Sequence, residues 1–395
     1  MHCGIAICDG VYWVGENDRE TELFEGLWPL PKGVAYNSYC ILDEKVALVD
    51  TVKGCYFPDY VEKIKALIGE GRSVDYLIIN HMEPDHSGSV KVLRAVFPNM
   101  VIVGNAKTRD MLARFYGITE GIHVVKEGDV LSLGRRHLHF ALVPMVHWPE
   151  TMVTYDAEDK ILFSGDAFGA FGSLDGGVFD DEVDIAYMED EILRYFSNIV
   201  GRYSLQVQKA IAKVRTLDVR VIGATHGPIL RQDPGRVVDL YDRWSRHETE
   251  RGVVVVYGSM YGNTKKMAEA VARSLAEEKA GKIILHDISK SHVSFVVRDI
   301  WRYRGMVLAS CTYNTGLYPP MDELVHALQN RLLQGRLLGV CGSYSWSKGA
   351  LAALLQFGEK SNLELVEPHV EVCSAPTCED LQACSELGRR LAKAL

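Results

Sequence analysis

The sequence predicts two consecutive α/β domains, a sandwich over residues 1–250 followed by a doubly wound parallel sheet over 251–395. Three observations carry this prediction. A chain of 395 residues exceeds one ordinary hydrophobic core. Up to about residue 235, short apolar runs alternate with loops rich in His, Asp and Gly. From 252-GVVVVYGS-259 onward, strands and helices alternate at the spacing of βαβ units, which builds a parallel sheet with helices on both faces.

The elements follow in order. In 37-NSYCILDEKVALVDT-51, two strand-like runs flank Asp43-Glu44, a hairpin turn. The run 72-RSVDYLIINH-81 reads as a buried strand, 88-GSVKVLRAVF-97 as a helix and 101-VIVGN-105 as a further strand. Later strands fall at 137-HLHFALVP-144, 151-TMVTYDAEDKILFSGD-166 and 219-VRVIGATHG-227. The charged segment 236-RVVDLYDRWSRHETER-251 reads as a helix that closes the first domain. In the second domain, strand 252–259 leads to helix 265-KKMAEAVARSLAEE-278. Strands 282-KIILHDI-288, 305-GMVLAS-310, 336-RLLGVCGS-343 and 363-LELVEPHVE-371 follow, with helices between them.

Composition narrows the function classes. Forty-three Lys and Arg against 52 Asp and Glu give a net charge of -9, which opposes a broad nucleic-acid surface. No run approaches the roughly 18 apolar residues of a membrane helix, and the N-terminus lacks a secretory pattern. The expectation is a cytoplasmic protein with neither nucleic-acid nor membrane partners. Nine cysteines without any C-x-x-C argue against a disulfide framework, a zinc ribbon and a fused rubredoxin site.

Chemistry concentrates in 80-NHMEPDHSGS-89, where His81, Glu83, Asp85 and His86 stand at the end of an apolar strand. If the segment is extended, His81, Glu83 and Asp85 share one face and a turn at Pro84 brings His86 across. His147, Asp166 and His226 lie in the same strand-end context. A lone histidine there is more often a hydrogen-bonded core residue. Four such groups in six positions are not, because buried carboxylates cost several kcal/mol unless a cation offsets them. The set of four histidines and three carboxylates favours redox-active iron, with zinc and manganese left open by residue type.

A second feature is 257-YGSMYGNTKK-266, a glycine- and hydroxyl-rich turn between strand and helix. It fits a phosphate cradle at a helix N-terminus and a generic turn equally well. It is neither a P-loop nor a G-x-G-x-x-G fingerprint. The later strand ends 310-SCTYNTGLYP-319 and 342-GSYSWSKGA-350 add aromatic and hydrogen-bonding groups at the same edge.

These motifs carry two resemblances. H-x-E-x-D-H with the later His, Asp and His resembles the metallo-β-lactamase-like αββα fold, except that Glu83 replaces its second histidine. The three later loops resemble the FMN site of flavodoxins. Their combination resembles the flavodiiron proteins, also called A-type flavoproteins, over essentially the whole chain. That resemblance implies that His81, Glu83 and His147 bind one iron, that Asp85, His86 and His226 bind the other, and that Asp166 bridges them. It implies that Ser259, Met260, Tyr261, Gly262, Asn263 and Thr264 hold the FMN phosphate. Thr312, Tyr313, Asn314, Thr315, Gly316, Ser343, Tyr344, Ser345 and Trp346 would surround the flavin ring. The implied activity is reduction of dioxygen to water, of nitric oxide to nitrous oxide, or of both, with rubredoxin or a flavin reductase as electron donor. The implied assembly is a head-to-tail homodimer. A zinc hydrolase fused to a flavodoxin-like carrier is the rival reading.

Four departures from the family pattern stand out. Cys311 and Thr315 replace Pro and Asn in the first ring loop, and Ser345 and Lys348 alter the second. Lys348, if it faces the flavin, stabilises the reduced anionic ring; a solvated lysine is the plainer alternative. Tyr195-Phe196 stands where relatives often carry two tyrosines, which leaves Tyr195 as the candidate proton-donating hydroxyl. Glu25 stands where some members carry histidine.

Overall fold

The computed structural model describes residues 4–395, and the chain divides into two compact units, residues 1–242 and 243–395. Each is an α/β body.

The first unit contains a seven-stranded and a five-stranded sheet. The larger runs in the order Ile5–Cys8, Val11–Trp13, Tyr39–Leu42, Val46–Val49, Tyr76–Ile78, Val101–Gly104, Ile122–Val124. The smaller runs Val130–Ser132, His137–Leu142, Met152–Asp156, Ile161–Gly165, Val221–Ala224. Their inner faces share one core, in which Val49 and Ile78 from the first sheet meet Phe140, Met152 and Phe163 from the second. Tyr39 crosses between them: its ring lies 5.0 Å from Phe163 and its hydroxyl donates to the Ala224 carbonyl at 2.6 Å. Helix Phe57–Ile68 buries Tyr60, Val61, Ile64 and Ile68, the one-sided spacing of a helix laid on a sheet. This is an αββα sandwich.

Strand direction gathers the chemistry at one end. Tyr76–Ile78 is paired in parallel on both sides, with Val46–Val49 and Val101–Gly104, so its side chains are enclosed and its continuation emerges at the sheet edge. Val221–Ala224 runs parallel to Ile161–Gly165 with Ala224 opposite Gly165, which sets the next segments, carrying Asp166 and His226, side by side. His137–Leu142 points the same way through two antiparallel pairings, and His147 follows it. Gly227, with φ of 76°, lets the chain leave His226 at a spot where a Cβ would stand 2.8 Å from that of Ala170.

The second unit is a parallel sheet in the order Lys282–Asp287, Glu250–Gly258, Tyr303–Tyr313, Leu337–Tyr344, Glu364–Cys373. The order of strand addition reverses at Glu250–Gly258, with Lys282–Asp287 on one side and the later strands on the other, and an open sheet of this kind opens a crevice at that point, beyond the carboxyl ends of its strands. Helix Asn263–Glu277 packs on Cys378–Ala394, and Val293–Arg302 on Pro319–Asn330. The anticipated helix 236–251 is shorter, Pro234–Ser245, because residues after 245 turn and then enter the first strand of the second unit at Glu250.

Candidate metal centre and flavin cleft

The H-x-E-x-D-H loop changes conformation in mid-motif. His81 lies beyond the strand Tyr76–Ile78, and Pro84 opens the short helix Pro84–Ser87 with Glu83 at its N-cap in extended geometry, φ −57° and ψ 139°. The alternation expected to group Asp85 with His81 and Glu83 therefore stops at Glu83. Asp85 turns with His86 towards His226 instead. Two donor groups result, one of His81, Glu83, His147 and Asp166, the other of Asp85, His86 and His226.

In the first group, Nε2 of His81 lies 3.2 Å from Glu83 Oε2 and 3.4 Å from Asp166 Oδ2. Nε2 of His147 lies 3.2 Å and 3.0 Å from the same two oxygens. In the second group, Nε2 of His86 is 3.3 Å from Asp85 Oδ2 and 3.0 Å from Asp166 Oδ1, while Nε2 of His226 is 3.4 Å from Asp85 Oδ2. Asp166 thus turns Oδ2 to one group and Oδ1 to the other. Donors bound at about 2.1 Å to a tetrahedral or octahedral ion stand roughly 3.0 to 3.4 Å apart, so these spacings are the edges of two coordination shells.

Hydrogen bonding gives an independent test of fit. Both Asp85 oxygens, His86 Nε2 and His226 Nε2 are buried without a hydrogen-bond partner, although they nearly touch. Their lone pairs converge on common points rather than on each other, the arrangement of ligands and not of an ion-pair network. The electrostatics agree. Burial opposes charge on His81, yet Asp166 and Glu150 hold its pKa well above the ordinary value. Against burial, Asp85 and Asp166 raise His86 to about 9, and hydrogen bonds that Asp166 and Glu83 accept from His147 raise that residue to about 9. Burial would raise Asp166, but His86 and His81 hold it well below the carboxylate range. The buried carboxylates thus set the imidazoles in a strongly negative field, one that favours bound cations. The donor set fits two divalent ions.

Residues beyond the sequence reading complete the surroundings. Glu150 Oε1 accepts from His81 Nδ1 at 2.8 Å, and Thr225 Oγ1 donates to Asp166 Oδ1 at 2.5 Å. Glu150 lies 69 positions from His81, so no local pattern announces the pair. Tyr195 is fully buried, its ring 5.5 Å from that of His226, and its hydroxyl has no partner. Burial and the nearby Asp166 hold its phenol protonated, well above the usual pKa. Glu25 sits on the turn between Leu23–Phe24 and Trp28–Pro29, where Trp28 Nε1 donates to it at 3.0 Å. Burial and the adjacent Glu83 push its pKa up to about 8. Arg194, buried and paired with Glu191, anchors that hairpin by donating to the Pro29 carbonyl at 3.0 Å.

In the second unit, the three loops line one cleft of about 550 Å³. Of the anticipated residues, Ser259, Met260, Tyr261, Asn263, Thr264, Thr312 to Thr315 and Ser343 to Trp346 line it. Gly262 and Gly316 do not; they shape the backbone. Gly262 caps helix Asn263–Glu277 at φ of 90° and donates its N–H to Ser259 Oγ at 3.0 Å. Thr264 and Ser343 bind each other at 2.9 Å, tying the first loop to the third. Cys311, Ser347 and Ser374 also face the cleft. Lys348 does not itself line the cleft: its ammonium pairs with Glu371 at 2.6 Å and stands 5.2 Å from the ring centroid of the cleft residue Tyr344.

Comparison with known proteins agrees with both halves. Residues 34–227 match the family described as ODP family beta lactamase, and residues 255–388 match Flavodoxin. A nitric oxide reductase of Moorella thermoacetica is 33% identical over 393 residues, 98% of each chain. The chain belongs to the flavodiiron protein family. Among solved structures, rubredoxin oxygen:oxidoreductase from Desulfovibrio gigas matches this flavodiiron chain with a TM-score of 0.94 at 28% identity, over 99% of this chain and 98% of that one. The flavodiiron protein from Giardia intestinalis matches with a TM-score of 0.95 at 28% identity, over 100% and 97%. As a family member the chain is an oxidoreductase, not a zinc hydrolase. No described helix is long and apolar enough to cross a membrane.

Proposed function

We propose that this flavodiiron protein reduces dioxygen to water, nitric oxide to nitrous oxide, or both, at a pair of iron ions supplied with electrons through FMN. The observation that carries the reading is the split of Asp166, one oxygen towards each donor group. His81, Glu83 and His147 would hold one iron, Asp85, His86 and His226 the other, with Asp166 between them. A ferrous pair held by these residues would supply electrons and adjacent binding positions for a diatomic gas. The carboxylates suit iron better than an imidazole-only set would.

The chain's own residues supply the remaining functions. Ser259, Asn263 and Thr264 offer hydroxyl, amide and helix N-terminal N–H groups to a phosphate. Tyr313, Tyr344 and Trp346 offer faces and edges to a planar ring. Gas reduction consumes protons, and Tyr195 is a protonated hydroxyl beside His226 with no competing partner. Trp346 is 93% exposed and Tyr261 90% exposed at the cleft rim, while Leu23 and Leu27 are exposed on the hairpin beside the metal ligands. Such apolar groups at both sites support a head-to-tail homodimer that brings the flavin of one chain to the irons of its partner. Rubredoxin or a flavin reductase in the cytoplasm would donate the electrons.

One experiment tests the reading. The purified protein is assayed for iron, zinc and flavin, reduced anaerobically, and challenged separately with dioxygen and nitric oxide. Two irons, one FMN and reductant-dependent consumption of either gas support it. Two zincs with no gas consumption overturn it.

A further inference from the structure

The two donor groups look equivalent if only ligands are counted. Each has two imidazoles and one carboxylate of its own, and they share Asp166. They differ in what holds the far side of each ring. His226 Nδ1 donates to a neutral acceptor, the Ala35 carbonyl, at 2.8 Å. His86 Nδ1 is buried without any partner. His81 Nδ1 instead faces the Glu150 carboxylate at 2.8 Å, and that carboxylate is fully enclosed, with side-chain exposure of 0%. Its Oε1 also takes the Met82 N–H at 2.9 Å, whereas Oε2 has no partner.

A carboxylate in this position is half-satisfied and far from water, so its charge must be offset through the ring it touches. Counting the ligands and the groups bound to their rings, the carboxylates are Glu83, Asp85, Asp166 and Glu150, four negative charges against two divalent ions. The centre is neutral only when Glu150 is included. Asp50 stands further out, accepting from the backbone N–H of Asn80 at 2.8 Å.

We infer that Glu150 is a positioning residue that makes the two metal positions unequal: it fixes His81 with Nε2 facing the ion, strengthens that nitrogen as a donor, and gives the His81–Glu83–His147 position the higher metal affinity. The direction follows from the general behaviour of a carboxylate behind a metal-bound histidine, whose loss weakens metal binding about 10- to 100-fold. This inference rests on the two-metal reading above and adds the order in which the positions fill.

Glu150→Gln isolates the charge. Two N–H donors, from His81 and Met82, point at Oε1, so the amide oxygen takes that place and the hydrogen bonds are kept. The full-length protein with FMN bound is freed of metal by chelation and titrated anaerobically with Co(II) alone, following its visible bands and the heat of binding. The native chain is expected to take two equivalents differing at least tenfold in affinity. Glu150→Gln is expected to weaken one equivalent about 10- to 100-fold and leave the other within about threefold, with flavin content unchanged. Two native equivalents of equal affinity overturn the inference, a measurement that depends on no variant folding. A variant that weakens both equivalents alike, or neither, also overturns it. Uptake of fewer than two ions by the native chain would instead sink the two-metal reading itself.

Discussion

Gly349 precedes helix Ala350–Lys360 and lies against the first ring loop of the flavin cleft. A Cβ built on it would stand 2.0 Å from the Thr315 carbonyl oxygen and 2.5 Å from the carbonyl carbon. Both are backbone atoms, so no side chain can swing away. An ordinary Cβ contact needs about 3.4 Å, and Gly349→Ala must therefore move the 312–316 loop by roughly 1 Å or more. Overpacking of this kind costs about 1–3 kcal/mol. That loop lines the ring end of the cleft, so most of the cost should appear in flavin binding, weakening it about 5- to 150-fold at 1.4 kcal/mol per tenfold. Fluorescence titration of flavin-free protein with FMN measures this directly. Gly235→Ala is the control, since its Cβ meets only Asp233 Oδ1 at 3.6 Å, in the other unit. An unchanged FMN affinity in Gly349→Ala would refute the reasoning that this glycine sets the loop position.

Three further outcomes follow from the same contacts. Arg336 is fully buried and donates to the carbonyls of Ile300, Trp301, His247 and Gln334, so Arg336→Met should cost about 3 kcal/mol, seen by calorimetry as a lower melting temperature of the flavin unit. Burial, then the Arg336 charge, depresses His247 to about 4, below its unfolded value, so its contribution to stability is complete above pH 6.5 and is lost as pH falls towards 4. Discounted for partial exposure, about 1–2 kcal/mol should disappear between pH 7 and pH 5, and a His247→Gln variant unfolded by urea at both pH values should lack that slope. Tyr195→Phe removes a buried hydroxyl without a partner, so melting should stay within a degree or two or rise, whereas turnover should fall about 100-fold if the hydroxyl delivers protons. Equal turnover in the phenylalanine variant would end that role for Tyr195.

The sequence made strand-end chemistry legible because ligands and cleft residues follow apolar runs directly, and apolar runs are what local patterning reveals. His81, Asp166 and His226 each stand within a few residues of the end of a buried strand. Asp85 was harder. Period-two alternation placed it with Glu83, and only the helical turn started by Pro84 sends it to the other group. Glu150 and Thr225 were visible as letters but not as partners, because their hydrogen bonds join segments 69 and 59 positions apart. Lys348 shows the opposite limit. Its place in a flavin loop suggested a free charge beside the ring, but Glu371, on the neighbouring strand Glu364–Cys373, pairs with it, a partner that no local pattern announces.

The switch from extended to helical backbone at Pro84 also constrains how such a motif can vary. Glu83 and Asp85 are two positions apart, yet they serve different groups because Glu83 caps the helix from outside in extended geometry and Asp85 lies within it. An extra residue after Pro84 would rotate Asp85 and His86 by about 100° around the helix axis while leaving His81 and Glu83 in place. Such an insertion would keep every ligand in the sequence and still dismantle half the site, leaving a mononuclear centre. In this loop the spacing, as much as the identity of the letters, decides how many metals the protein can hold.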